Sequence, residues 1–323
     1  LESDVAFSER EFVMPNDTFA AGPDGGSPQR PLAGASVAPL VHSFFDEDTF
    51  TITYVVEDES TKRCAIIDSV LDYSPAAGSV STASADRVVA LTRERGLTVE
   101  WILETHVHAD HLSAAPYLKE KLGGEIGIGA HVTEVQRTFA RIFNTEPEFV
   151  PDGGQFDRLF NDGDVFSVGS IPARAMHTPG HTPACMTFII GDAAFVGDTL
   201  FMPDQGAGRC DFPGGDARQM HRSIQRVYSL PPKTRLFMGH DYKAPGRDHY
   251  AWESTVEEER LHNVQASASV SEDAFVAMRT QRDASLKAPR LIIPSIQVNM
   301  RAGRMPPPED NGVTYLKIPL NLF

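Results

Sequence analysis

The segment Val99-Glu100-Trp101-Ile102-Leu103-Glu104, followed by Thr105-His106-Val107-His108-Ala109-Asp110-His111, decides how this sequence is read. Its first half is apolar apart from Glu100 and Glu104 and holds the strand-favouring Val99, Trp101 and Ile102, so it reads as a strand over 99–104. Its second half puts three imidazoles and a carboxylate into six residues. Residues i and i+2 of an extended chain share a face, so His106 and His108 point toward one centre, while Asp110 and His111 lie where the chain turns toward a helix expected over 111–122. Imidazole nitrogens and carboxylate oxygens are the ligands of zinc, iron and similar divalent ions, and a donor set without cysteine argues against a purely structural zinc. A lone histidine here would read as a loop residue and Asp110 as a helix cap; a heptapeptide of this density reads as a metal site.

Working outward, the same layout returns three times. Met176-His177-Thr178-Pro179-Gly180-His181 places a tight Pro-Gly turn before His181 at the end of a strand expected over 171–176. Phe195-Val196-Gly197-Asp198-Thr199 ends an apolar strand on Asp198, and Leu236-Phe237-Met238-Gly239-His240-Asp241-Tyr242 ends another on His240. Asp198 alone would pass for a turn residue, but in this strand-loop-strand order it joins the donor set. His42, His131, His177, His221, His249 and His262 lack such company and are assigned to structure or surface.

The remaining sequence organises around these motifs. Residues 1–38, rich in Gly, Pro and Asp, read as a flexible N-terminal arm. Strands are expected over 41–45, 49–57 and 64–68, then a helix over 86–95, a strand over 125–129 and a helix over 132–143. Short strands follow over 164–170, 171–176, 186–191 and 193–196. Residues 39–245 therefore form two β-rich halves, each followed by helices. Residues 246–323 read as a helical and C-terminal extension packed on the same domain, with helices over 252–264 and 272–282 and a Pro-dotted tail.

The chain has 323 residues with 29 Lys+Arg against 44 Asp+Glu, a formal charge of −15, which excludes a nucleic-acid footprint. Its 41% hydrophobic content is ordinary for a globular chain long enough to bury a core without staples. Its three cysteines, Cys64, Cys185 and Cys210, fit neither a disulfide framework nor a cysteine zinc site, so a cytoplasmic home is the default. Nothing approaches the roughly 18 apolar residues of a membrane helix, and the N-terminus lacks the order of a signal peptide. A membrane partner is not expected, and a homodimer is compatible with the sequence.

T-H-x-H-x-D-H, G-H-T, G-D-T-L-F and G-H-D-Y, in this order and at strand ends, resemble the metallo-β-lactamase superfamily over roughly residues 39–245. The resemblance implies an α/β fold, the αββα sandwich of two mixed β-sheets face to face, flanked by helices, with metal at one sheet edge. Two groups within it share the motifs. Hydroxyacylglutathione hydrolase (glyoxalase II) implies two zinc or mixed metals, one on His106, His108, His181 and Asp198, the other on Asp110, His111, His240 and Asp198, with a bridging hydroxide attacking a thioester. Persulfide dioxygenases imply one Fe(II) per chain on His106, His181 and Asp198, a facial triad open to O₂ and a thiol persulfide such as glutathione persulfide, which is oxidised to sulfite. His108, Asp110, His111 and His240 then orient ligands or water around the ion, and Asp110, His111 and His240 are the catalytic candidates beside it.

Gly208-Arg209-Cys210-Asp211-Phe212, the His240-Asp241-Tyr242 ending and the tail Val298-Asn299-Met300-Arg301-Ala302-Gly303 resemble the persulfide dioxygenases more than the hydrolases. The expected activity is therefore a glutathione persulfide dioxygenase, with a thioester or lactone hydrolase as the alternative and an idle metal-binding module as a third reading that the full ligand set opposes. An anionic thiol substrate needs local cation in a chain of this charge, which nominates Arg209 and Tyr242 for substrate binding, with Arg290 and Arg301 as weaker candidates. Arg209 has an equal claim to be a brace for Asp211. Cys185 and Cys210 read as buried structural residues.

Overall fold

The computed structural model describes residues 38–321. The expected arm over 1–38 lies, up to residue 37, outside the described residues. Three strands open the fold: β1 (Leu40–Phe45), β2 (Ile52–Asp58) and β3 (Arg63–Ile67) pair antiparallel. A small hairpin, β4 (Val70–Ser74) and β5 (Ser79–Ser81), leads into helix α1 (Ala83–Glu94). Strand β6 (Thr98–Leu103) then lies parallel to β3, β8 (Glu125–Gly129) parallel to β6, and β9 (Arg158–Phe160) parallel to β8. The first sheet therefore runs β1-β2-β3-β6-β8-β9. Between these strands come β7 (Leu112–Ser113), α2 (Ala115–Leu122) and α3 (Val132–Phe143).

The second sheet runs β10 (Val165–Val168), β11 (Ile171–His177), β12 (Met186–Ile190), β13 (Ala193–Gly197), β14 (Arg235–Met238) and β15 (Glu253–Thr255). Its pairs are antiparallel except β13 with β14, which is parallel, so both sheets are mixed. Helices α4 (Ala217–Tyr228), α5 (Val256–His262) and α6 (Glu272–Asp283) flank it, and α7 (Ile292–Asn299) follows. Asp216 caps α4 through the Gln219 amide and Ser271 caps α6 through the Ala274 amide.

Period-two alternation sorts the side chains into layers. Ile52, Tyr54, Val56, Ala65, Ile67 and Leu103 face Ala173, Ala175, Phe188, Phe195 and Phe237 of the second sheet. The intervening residues Val55, Cys64, Ile66 and Ile102 turn outward onto Val88, Leu118, Val135, Phe139 and Ile296 of the helices. The second sheet likewise turns Ile189, Ala194, Leu236 and Met238 toward Met220, Ile224, Val227 and Phe275. Four layers, helix on sheet on sheet on helix, result, as the superfamily resemblance implied. Tyr54 crosses between the sheets and donates to the Met238 carbonyl (2.6 Å).

Local boundaries differ from the sequence expectation for identifiable reasons. The helix expected over 111–122 begins at Ala115, because Leu112 and Ser113 pair with Leu71 and Val70 of β4. In the helix expected over 252–264, the first residues become β15, which pairs with β14. The apolar run Leu291-Ile292-Ile293 belongs to helix α7, which buries Ile292 and Ile296 against the first sheet's helices. Among the described residues no helix is long and apolar enough to cross a membrane.

Glu259 of α5 is fully buried, with Asn263 donating to Oε2 (2.8 Å) and no partner for Oε1. Burial raises its pKa from 4.5 to about 8. Between those values the folded protein holds a proton that the unfolded chain has released, so stability falls as pH rises through the window. Glu259→Gln removes this term. The melting temperature of the variant relative to wild type is expected to rise between about pH 5 and pH 8, and a falling difference would contradict the assignment.

Candidate metal centre

Four strand ends converge on one edge of the sandwich. β3 and β6 are parallel with Ile67 opposite Leu103, and β13 and β14 are parallel with Gly197 opposite Met238, so each sheet delivers two C-terminal strand ends to the same edge. Asp68 follows β3, residues 104–111 follow β6, Asp198 follows β13 and His240 follows β14. His181 arrives from the loop after β11, with Gly180 at φ +145°; a Cβ there would lie 2.4 Å from the Met220 Cα, which makes glycine obligatory.

Buried Asp68 organises the first cluster from a left-handed backbone (φ 51°). Its Oδ1 accepts the Thr105 amide (2.7 Å), its Oδ2 accepts the Thr105 hydroxyl (2.8 Å), and Oδ1 lies 3.0 Å from His108 Nε2. Glu104 Oε2 lies 3.2 Å from the same nitrogen. The His108 Nε2–H therefore faces two carboxylates, and its Nδ1 is left buried without a hydrogen-bond partner. Thr105 Oγ1 sits 3.0 Å from His106 Nδ1, which leaves His106 Nε2 free. His181 Nδ1 donates to the Arg209 carbonyl (2.7 Å), turning its Nε2 to within 3.6 Å of Asp198 Oδ2. His111 Nδ1 donates to the Leu112 carbonyl (3.1 Å) and His240 Nδ1 to the Phe50 carbonyl (3.2 Å).

Buried polar atoms without hydrogen-bond partners are rare in a folded protein. Here His106 Nε2, His108 Nδ1 and His111 Nε2 are in that state at one edge, while Asp110 Oδ2 and Asp198 Oδ1 meet only His240 Nε2, as ion pairs of 3.0 and 3.5 Å. Each imidazole has its other nitrogen fixed by an oxygen, the arrangement that orients a metal-binding histidine. His106, His181 and Asp198 offer one donor atom each within 4.8 Å of one another, as do His108, Asp110 and His240. Asp68, Glu104 and His108 form a third such group, and His111 enters none among the described residues. These donors fit one or two divalent ions.

Charge follows geometry. Burial holds His106 well below the usual imidazole range and, with the neighbouring His108 charge, lowers His111 to about 3, so both keep lone pairs for an ion. Burial opposes the charged form of His240, yet Asp110 and Asp198 outweigh it and raise that pKa to about 9. Burial likewise opposes charge on His108, but Asp68 and Glu104 hold it well above the usual value.

A cavity of about 690 Å³ opens over this edge, lined by Asp110, His181, Asp198, Arg209 and Tyr242. The Tyr242 ring stacks on His240 (centroids 5.6 Å). Arg209 is committed: Nε and Nη2 bind Asp211 (both 2.6 Å) and Nη1 the Lys287 carbonyl (2.8 Å), so it braces the loop that positions His181. Arg290 lines the cavity, whereas Arg301 pairs with Glu146 elsewhere. The cavity wall also carries Lys243 and Arg282, which the sequence reading did not nominate. Asp68 and Glu104 were missed too, although Asp68 gives the same signal as Asp198, a carboxylate ending an apolar strand.

The metallo-β-lactamase superfamily model matches residues 47–240, and the chain belongs to that superfamily. A probable metallo-hydrolase of Burkholderia pseudomallei is 59% identical over 87% of this chain and 99% of its own length. Glyoxylase B2 of Dictyostelium discoideum is 48% identical over 87% and 97%. The human mitochondrial persulfide dioxygenase ETHE1 is 31% identical over 85% and 93%. Among solved structures, ETHE1 from Myxococcus xanthus superposes with a TM-score of 0.65 at 28% identity, covering 82% of this chain and all of that one. Relatives described as β-lactamase hydrolase-like proteins are longer, and the chain spans about two thirds of their length.

Buried donor atoms that lack a hydrogen-bond partner lose their desolvation penalty when an ion binds. Adding Fe(II) or Zn(II) to chelator-stripped protein is therefore expected to raise the melting temperature by about 5 °C or more at saturating metal. His106→Ala should lose most of that rise, and an unchanged rise would remove His106 from the donor set.

Proposed function

We propose that the chain is a persulfide dioxygenase that oxidises the terminal sulfur of glutathione persulfide at a single Fe(II) held by His106, His181 and Asp198. The balanced reaction is RSSH + O₂ + H₂O → RSH + SO₃²⁻ + 2H⁺. The observation that carries the reading is the buried two-histidine, one-carboxylate group, its donor atoms within 4.8 Å of one another and bordering the cavity. Such a triad leaves positions for both dioxygen and sulfur. Iron bound there supplies the redox chemistry that joins them. The resemblance to ETHE1 in sequence and in shape adds support.

The protein's own contribution is orientation and charge. The Arg209 carbonyl and Thr105 hydroxyl fix the His181 and His106 rings, and Tyr242 forms a wall beside His240. With Nε2–H toward Asp68 and Glu104, His108 is oriented as a ligand would be, but the same carboxylates favour the imidazolium, whose Nδ1 carries a proton in place of a lone pair, and the single-iron reading takes that form. Asp110, His111 and His240 hold water or substrate protons near the reacting sulfur. Lys243, Arg282 and Arg290 line the cavity and fit the carboxylates of an anionic thiol. Arg282 makes no ion pair among the described residues, and Lys243 lies over the Tyr250 ring (4.3 Å). Three free, buried cysteines fit a reducing cytoplasm.

A second reading, thioester or lactone hydrolysis with two zinc or mixed metals, is favoured by the second donor group, His108, Asp110 and His240, and by the partnerless His111 Nε2 beside it. It is also favoured by relatives described as a metallo-hydrolase and a glyoxylase.

Elemental analysis of purified protein, paired with oxygen uptake on adding glutathione persulfide, separates the two. About one iron per chain with O₂ consumption is expected; about two metals per chain with thioester turnover and no O₂ uptake would overturn the proposal. His108→Ala is expected to retain iron that His106→Ala loses, and equal loss in both would place His108 on the ion. Arg282→Ala with Arg290→Ala is expected to raise KM about tenfold or more with kcat little changed; an unchanged KM would move substrate recognition elsewhere.

A further inference from the structure

The donor loop is held from behind by a residue far along the chain and outside the matched family segment. Asn299, the last residue of α7, is buried, and its side-chain amide faces the loop. Its Nδ2 donates to the His108 carbonyl (2.9 Å) and to the His111 carbonyl (2.8 Å), and its Oδ1 accepts the Ser113 amide (2.8 Å). One planar group thus spans residues 108 to 113, with Asp110 between its two acceptors. The network continues forward: Ser113 Oγ donates to Glu104 Oε1 (2.5 Å), and Glu104 Oε2 lies 3.2 Å from His108 Nε2. A closed circuit runs from α7 to the imidazole and back through the backbone.

Asn299 is itself held. The Met300 carbonyl accepts Gln136 Nε2 of α3 (2.8 Å). Just after α7 the chain turns through Ala302 (φ 56°) and Gly303 (φ +80°), where a Cβ at 303 would lie 2.6 Å from Pro116 Cδ and 2.8 Å from the Ser113 carbonyl. The turn is pressed against the start of α2, so Asn299 has little room to move relative to the loop.

We infer that Asn299 is a positioning residue of the metal centre: its amide fixes the spacing between His108, Asp110 and His111 and so tunes how tightly and in what geometry the ion is held. The inference concerns the donor loop alone and stands under either reading of the activity. An alkyl or carboxylate group at this place would leave two buried carbonyls facing no donor.

Asn299→Asp tests it, because aspartate keeps the shape and the acceptor for Ser113 but removes both donors. Gln297→Ala is the control: Gln297 is a buried residue of the same helix that bonds the Ile293 and Lys317 carbonyls and does not touch the loop. Co(II) affinity, read by chelator competition, and the Co(II) visible spectrum are the observables. For Asn299→Asp an affinity about tenfold to a hundredfold weaker is expected, with a changed spectrum. Gln297→Ala should keep wild-type affinity and spectrum whatever it does to the melting temperature. Wild-type affinity and spectrum in Asn299→Asp, or equal losses in both variants, would overturn the inference. If Asn299→Asp does not fold, Asn299→Gln carries the same test, since it keeps the amide but displaces it by one methylene; unchanged binding there would equally overturn it.

Discussion

A carboxylate removed from water must be surrounded by donors, and Asp68 meets that demand in a way that ties the two sheets and the donor loop together. It ends β3 in a left-handed conformation, takes both the amide and the hydroxyl of Thr105, and faces His108. Its own amide donates to the Leu103 carbonyl, and its carbonyl accepts the Thr53 hydroxyl, so neighbouring strands on both sides are locked to it. Thr105 in turn gives its carbonyl to the Met186 amide of the second sheet and packs against Gly197, where a Cβ would lie 2.5 Å from Oγ1. Burial raises the carboxyl pKa and the His108 charge and these hydrogen bonds lower it further, so Asp68 stays ionised.

The electrostatic plan of the site differs from that of the whole. A chain with a net charge of −15 concentrates histidines with opposed tendencies at one sheet edge, some kept neutral by burial and others drawn toward charge by acids. Apart from Arg209, the cations that line the cavity come from segments after β14. Arg209, the most obvious cation in the sequence, has its guanidinium occupied by Asp211 and the Lys287 carbonyl.

The donors were legible because residue type and position at strand ends carry their chemistry: His106, His108, Asp110, His111, His181, Asp198 and His240 announce themselves without knowledge of what they touch. Two β-rich halves, each followed by helices, were legible from apolar strand-sized runs and from glycine and proline punctuation, whereas the four-layer sandwich was what the superfamily resemblance implied. What decides orientation was not. Asp68 lies 40 residues from His108 and Asn299 lies 191 residues from it, and nothing local to either marks the contact. Helix α7 escaped notice because its apolar run is short and holds Pro294, and it is stabilised by burying Ile292 and Ile296 rather than by propensity.

The circuit from Asp68 to Asn299 also bears on which ion the centre would hold. Two of its links close long chain loops, 40 residues between Asp68 and His108 and 191 between His108 and Asn299, and each such closure has an entropic cost that the folded contacts must offset. An unconstrained set of imidazoles and carboxylates ranks divalent ions by intrinsic affinity, with copper and zinc ahead of iron. Once Asn299 and Asp68 have fixed the loop, geometry takes part in the choice. Discrimination beyond the Irving–Williams order thus depends on contacts made from distant parts of the chain.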